Sequence, residues 1–530
     1  MASSAGTTLP RGGPTPAPLS PAIEGLRQRW FAEGARDVQL TRFVLLRGLG
    51  LLYCVAFAIL VQQVLPLLGA RGLLPIPFLL RRLGELSDSR LSAWLAAPSL
   101  FWLDSSDVTL LALAWLGLGL GLACAFGVCN APLLALAWLI YGSFVHTGQI
   151  FYGYGWDMLL LETGFLAIFL APAWHPWPRP SPVPPLPVIW LLRWLLFRLM
   201  LGAGLIKLRG DPCWSDLSCL VYHYETQPNP HPLSWLLHQA PPWFHQAGVL
   251  TNHLVEVVAP FGLFGPRRVR HLAGAAVAAF QVMLILSGNL SFLNWLTLLI
   301  ACACFDDGWL RRVLPAALVR RVVSEDPAPL SRARQRVTLA LCALVALLSA
   351  GPLGNLLSPH QRMNTSFDPF DLVNSYGAFG SISRERHEVV LEGARAMTAG
   401  APPEDLDWRE YEFPCKPGDP ARAPCLVTPY HYRLDWQMWF ASLSSAQDQP
   451  WIVNLSLKLL QGDRAVLGLL RHNPFPDAPP THVRASLYRY SFTRFGEAGW
   501  WRRERVGPYL PVFTKDDPGL LAYSRRNGWL

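Results

Sequence analysis

The stretch from Val188 to Leu208 is apolar and about 20 residues long, enough for one helix to cross a bilayer, yet it carries Arg193, Arg198 and Lys207. A charge at the bilayer centre costs roughly 2.5–3.5 kcal/mol on insertion scales, so such residues face a protein interior or a polar cavity. Near the end of a span, a long cationic side chain can instead reach the headgroups. Lys207, at the end, suits either reading, whereas Arg198 is central. At 100° per residue Arg193 and Lys207 fall about 40° apart, and Arg198 lies opposite Lys207. One helix face therefore cannot serve all three cations, and at least two neighbouring environments must be polar. Glu162, inside the apolar run 158–172, is equally costly unless paired or protonated, and Arg198 or Lys207 is its natural partner. Asn289 and Asn294 follow a break at Gly288 and would supply hydrogen bonds near the membrane boundary. His223, His231, His238, His245 and His253 enrich the next loop, but no H-E-x-x-H or compact Cys/His spacing accompanies them, so no metal or cofactor is expected. His253 and Glu256 could share a helix face as a polar contact.

The elements that must hold these residues follow from composition. The chain has 530 residues, of which 52% are hydrophobic and 15% charged, against roughly 25% charged in a soluble domain. With several apolar runs of membrane length, the expected fold class is a polytopic α-helical membrane bundle, followed by a C-terminal soluble α+β domain. The net charge of +9 implies no nucleic-acid partner, because most of the basic residues are Arg, many of them flanking apolar runs where they set orientation. Candidate spans are 43–68, 108–128, 131–146, 158–172, 188–208, 254–265, two short ones within 272–303, and 337–357. Glycines in GLGLGLACAFG (117–127) read as helix packing and not as a phosphate loop. Arg27, Arg29, Arg36 and Arg42 precede the first span, and the Arg-rich segment 305–336 precedes the last. These place the N-terminus in the cytoplasm. An odd count of nine spans takes the C-terminus to the other side, and treating short candidates as re-entrant lowers the count to seven or five.

The domains are then 1–40, a disordered cytoplasmic tail (its first 26 residues rich in Pro, Gly, Ala, Ser and Thr); 41–357, the spans, with an exposed loop at 209–250; and 358–530, the non-cytoplasmic domain. RERHEVVLEGARAM, RLDWQMWFASL and WIVNLSLKLL read as helices; YEF, ASLYRYSF and WWRRERV read as strands. Of the ten cysteines, Cys213/Cys219 and Cys415/Cys425 form close pairs in polar loops on the non-cytoplasmic side, where disulfides persist. Two local disulfides are expected; the rival is convergence of both pairs as four metal-binding thiolates. Asn289, Asn364 and Asn454 begin N-x-S sequons. Asn364 and Asn454 are glycosylation candidates if the source is eukaryotic, and Asn289 lies too near the membrane.

FRLMLGAGLIKLRGDPCW (197–214) followed by CLVYHYETQPNP (219–230) closely resembles the signature of the lipase maturation factor family. The likeness extends in order through GYGWDMLLLETGFLAIFLAP (153–172), SGNLSFLNWLTLL (287–299), CFDD (304–307), NSYGAFGSI (374–382), CKPGDPARAPC (415–425) and PYHYRLDWQMWF (429–440). The resemblance implies a multi-pass endoplasmic-reticulum protein that assists folding, assembly and export of secreted homodimeric lipases such as lipoprotein lipase, with no catalytic residues; a bacterial source would place it in the cytoplasmic membrane. Aromatic and charged residues of the two non-cytoplasmic regions are the client-binding candidates: Tyr222, His223, Tyr224, Glu225, Tyr430, Tyr432 and Trp436. A fainter likeness, A-G-x-x-K-L at 203–208, is similar to the membrane core of vitamin K-dependent gamma-glutamyl carboxylase. It implies Lys207 as a desolvated base, but GWDMLLLETGF (155–165) lacks the Asn-His pair of that family. A transporter is a third reading, without a visible inverted repeat.

Overall fold

The computed structural model describes residues 25, 28–174, 182–396 and 402–530. Most of the tail read as disordered (1–24 and 26–27) and the middle of the Pro-rich link, 175–181, lie outside the described residues. The end of that tail is not disordered: Arg29–Glu33 and Arg36–Val38 are helical turns leading into Gln39–Leu68, because Phe31 and Ala35 bury against Val183 and Leu330. The fold is a polytopic helical bundle joined to a C-terminal α+β part. Five helices are long and apolar enough to cross a membrane by length and composition: Trp30–Leu68, Asp107–Phe126, Leu186–Arg209, Arg267–Ser287 and Arg332–Leu357. Ala131–Thr147 and Leu293–Cys304 are shorter apolar helices, and Gly155–Leu170 is a helix of 16 residues, most of them buried. The candidate at 254–265 is no single helix: a π-helical turn, Leu254–Val258, and the four-residue helix Ala259–Gly262 continue Pro242–His253. The expected pair of short spans in 272–303 is unequal, because its first helix begins at Arg267 and runs 21 residues.

Local chemistry sets the ends of these helices. Ser106 accepts from Thr109 N to start Asp107–Phe126, and Gly127 ends it at φ 128°, a conformation open to glycine. Asn130 caps Ala131–Thr147 in the same way. The CFDD segment serves two helices at once. Asp306 caps Asp307–Val313 through Trp309 N (3.1 Å) and receives Arg267 at 2.6 and 2.8 Å. Asp307 accepts from Gln39 N (3.0 Å) and Leu40 N (2.9 Å), satisfying free N–H groups at the start of Gln39–Leu68.

In the C-terminal part, strands β1 (Thr365–Ser366) and β2 (Asn374–Ser375) pair antiparallel. Strands β3 (Arg386–Ala394), β4 (Arg409–Glu410), β5 (His482–Phe492) and β6 (Trp501–Thr514) form an antiparallel sheet in the order β4-β3-β5-β6. Arg433–Ser442 and Pro450–Gln461 are helices, as the sequence suggests. RERHEVVLEGARAM is not a helix but β3 and its flanks. Eight of the nine β3 residues are buried, so the strand is covered on both faces and shows no alternation of apolar and polar residues. Of YEF, Tyr411 follows β4 and its N–H donates to Leu391 O at 2.9 Å. One cluster of buried apolar residues runs from Tyr53, Phe57 and Phe144 in the helices to Val389, Trp451 and Leu510 in the C-terminal part. The two parts therefore share a core.

Candidate functional site

Two of the charged residues of the helices, Glu162 and Arg198, meet the C-terminal part along a buried seam. Glu162 pairs with Arg198, both 1% exposed. The Glu162 carboxylate also accepts from Asn374 N (3.0 Å) and Tyr376 OH (2.8 Å), while Arg198 donates to Asn374 O (2.5 Å). Of the two partners the sequence offered Glu162, Arg198 is the one it takes, and the pair clamps β2 into the bundle. Lys207 has another partner: its ammonium donates to both Glu256 oxygens at 2.7 Å and to Asn252 Oδ1 at 2.9 Å, and lies over the Trp214 ring. Arg193 donates to Ala303 O at 2.7 Å. Three partner sets thus serve three cations, as the opposed faces require. The close approach at Lys207 depends on Gly204, where a Cβ would stand 2.7 Å from Val257 and 3.0 Å from Glu256. His253 and Glu256 do not act together, since His253 Nε2 contacts Trp214 O at 2.9 Å.

Two further clusters escape the sequence reading. Arg433 grips Asp157 with two bonds of 2.9 Å, donates to Phe151 O, and lies 3.5 Å over the Tyr152 ring. Arg386 pairs with Glu388, which also receives Lys416 at 2.8 Å; Arg386 then donates to Glu225 O, Gln227 O and Pro228 O. Arg433 and Asp157 stand on distant elements and leave no periodic trace in a single sequence; Arg386 and Glu388 face one another only because their segment is a strand, which the sequence reads as a helix.

Asn289 is a clasp. Its Nδ2 donates to Cys425 O (2.9 Å) and to Asn229 O and Pro230 O (3.2 Å each), while Oδ1 accepts from Val427 N and Thr428 N. Asn294 Nδ2 donates to Gln281 Oε1 at 2.8 Å. Cys213–Cys219 and Cys415–Cys425 are disulfide-bonded, with Cα–Cα separations of 4.7 and 5.3 Å. Among the described residues no three His, Cys, Asp or Glu side chains gather to hold a metal.

The client-binding candidates do not form an open surface. Tyr224 and Trp436 are each 6% exposed; Trp436 stacks edge-on against Trp156 and Tyr154. Tyr222, His223, Glu225, Tyr430 and Tyr432 are half-buried. Glu225 accepts from Phe492 N at 2.7 Å, and burial raises its pKa. Burial, reinforced by Lys207, lowers the His223 pKa to about 4, so its imidazole is neutral at pH 7. The reason is that the loop 209–250, expected to be exposed, and the C-terminal part pack on one another, with Trp439 Nε1 donating to Thr226 O at 3.0 Å. Asn454, a glycosylation candidate, is fully buried and donates to Leu73 O at 2.9 Å. Nδ2 is the atom a glycan would occupy, so the folded chain has no place for one there. Asn364 is half-buried.

The Lipase maturation factor transmembrane domain matches residues 40–312, and the Lipase maturation factor C-terminal domain matches residues 372–511. The chain belongs to the lipase maturation factor family. It is 46% identical to Lipase maturation factor 1 of Bos taurus, covering 98% of this chain and 97% of that one. It is 45% identical to Lipase maturation factor 1 of Homo sapiens, over 92% and 90% of the two chains, and 32% identical to human Lipase maturation factor 2, over 92% and 85%. No solved structure matches. The seam of this family member lies at the meeting of its two matched domains, because Glu162, Arg198 and Asn289 belong to the first and Asn374, Arg386 and Arg433 to the second, whereas the Lys207 contacts stay within the first.

Proposed function

We propose that this chain is a membrane-embedded maturation factor that assists folding, assembly and export of secreted homodimeric lipases, lipoprotein lipase among them, in the endoplasmic reticulum. The observation that carries this reading is 45–47% identity to Lipase maturation factor 1 of three mammals over at least 92% of the chain. The N-terminus lies in the cytoplasm, residues 41–357 form the membrane bundle around the five long apolar helices, and residues 358–530 face the lumen with the loop 209–250. Since the aromatic candidates are buried or half-buried, the client meets what is exposed beside them: Trp243 (68%) and Leu236 (48%) of the loop, and Phe495 (62%), which packs on Trp235. Nothing favours carboxylase-type chemistry, because the Lys207 donors are committed to Glu256 and Asn252.

The test is secreted lipoprotein-lipase activity and mass from cells lacking their own maturation factor, after expression of this chain. Rescue is expected, and Trp243→Ala/Phe495→Ala is expected to lower it several-fold at equal abundance. No rescue from correctly located protein overturns the proposal; rescue untouched by the double variant moves the client surface elsewhere.

A further inference from the structure

A cavity of about 410 Å³ lies among Leu186–Arg209, Pro242–His253, Arg267–Ser287 and the segment 376–383. Small-molecule sites span roughly 300–1,000 Å³. One part of its wall is apolar, with Met200, Phe280 and Leu284. Met283 (38%), Phe440 (37%) and Leu443 (45%) line it as well and remain exposed, which gives it an apolar rim. Met283 belongs to a helix apolar enough to cross the membrane, so the rim is reachable from lipid.

The polar part of the wall presents no unpaired charge. Lys207 and Glu256, its charged residues, neutralise one another at 2.7 Å. Gln281 is 3% exposed, and its Oε1 is taken by Asn294. Its Nε2 carries two N–H donors but meets only the Met200 sulfur at 3.8 Å, a weak acceptor. Asn294 Oδ1 accepts no hydrogen bond from the described residues. A buried amide donor without a good acceptor costs about 1–3 kcal/mol. Gln281 and Asn294 thus offer one donor and one acceptor, side by side, to the same cavity.

We propose that this cavity binds an uncharged amphipathic lipid, its hydroxyl-bearing head hydrogen-bonded by Gln281 and Asn294 and its chain lying along Met200, Phe280 and Leu284. A hydroxyl matches the pair because it accepts from Gln281 and donates to Asn294. An anionic or cationic head would bring a charge into a wall whose own charges are already matched, and burial of an unpaired charge is strongly disfavoured.

Full-length protein in nanodiscs is photolabelled with a monoacylglycerol bearing a chain diazirine, beside a diazirine fatty acid and a diazirine phosphatidylcholine, and labelled peptides are mapped by mass spectrometry. The monoacylglycerol is expected to label peptides holding Met200, Met283 or Phe440, and excess unlabelled monoacylglycerol to remove that label. Gln281→Leu should lower it about fivefold, as loss of one hydrogen bond implies. Leu284→Trp, which fills the apolar part, should lower it too. Three probes labelling alike, label spread over the outer helix faces and unmoved by competitor, or full label in Leu284→Trp overturns the proposal. Competition on the unaltered chain needs no variant to fold. No lipase takes part, so failure here is distinct from failure of the maturation role.

Discussion

Arg433 and Asp157 are both wholly buried and face one another from the two matched domains. A buried ion pair is weakly stabilising as a pair, but removing one member strands the other at a cost of about 3–5 kcal/mol. Arg433→Met alone is therefore expected to abolish most folded protein in a size-exclusion and thermal-melting assay. The double change Asp157→Leu/Arg433→Met should recover a substantial part of it. Equal loss in both would show that the geometry of the guanidinium, and not its charge, holds the seam. Asp435 gives a pH signature at the same scale. Burial pushes its carboxyl up to about 6, against backbone N–H donors from Cys415 and Lys416 that pull it down. The unfolded carboxyl titrates near 3.9, so the folded state holds the proton more tightly. Its contribution is complete below the unfolded pKa and is lost as pH rises through about 6. The difference amounts to roughly 3 kcal/mol. Asp435→Asn should flatten the decline in melting temperature between pH 4.5 and 7 relative to the unaltered chain; parallel curves would contradict this.

At the scale of elements, the glycines of Asp107–Phe126 show how a sequence pattern becomes a helix crossing. A Cβ on Gly121 would stand 2.9 Å from Cys54 N, and one on Gly50 would stand 2.5 Å from Ala125 N, so the backbones of Gln39–Leu68 and Asp107–Phe126 touch. Gly119, two residues from Gly121, has nothing within 4 Å. Gly121→Val is expected to destabilise by about 1–3 kcal/mol, the usual cost of overpacking, and Gly119→Val to leave the melting curve nearly unchanged. Loss in both would mean that the backbone, and not the contact, needs glycine. This crossing was legible because small residues at regular spacing leave a mark in one helix alone. The cations were half legible: apolar neighbours around Arg198 announce a partner, but nothing within either helix says that Glu162 belongs to Arg198 and Glu256 to Lys207. Strand β3 was hidden for the reason that makes it central, since burial on both faces removes alternation and its Glu and Arg residues read as helix spacing. Gln281 went unnoticed because one amide on an apolar helix is ordinary until Asn294 and Met200 are seen beside it.

For the whole molecule, the decisive feature is that the C-terminal part is docked and not tethered. Gln63 receives Arg433 N at 3.0 Å and donates to His431 O at 2.8 Å, and Asn454 reaches Leu73 across 381 residues. A docked domain loses surface that a tethered one would keep, which separates two properties that the sequons can report. A sequon-bearing tag joined after Leu530, itself 54% exposed, is expected to gain an endoglycosidase-sensitive glycan if residues 358–530 lie in the lumen. Asn454→Gln should not change the mobility of the folded chain, because Asn454 is wholly buried and carries no glycan. A tag left bare while a cytoplasmic control behaves normally would overturn the orientation. A glycan on Asn454 in folded, active protein would leave the orientation intact and overturn the docking, since a wholly buried side chain leaves no room for a sugar. Docking also explains why the loop 209–250 carries few free aromatics. Its Tyr, His and Glu side chains are used to hold the second domain in place, and a client must be met by the residues left over at the rim.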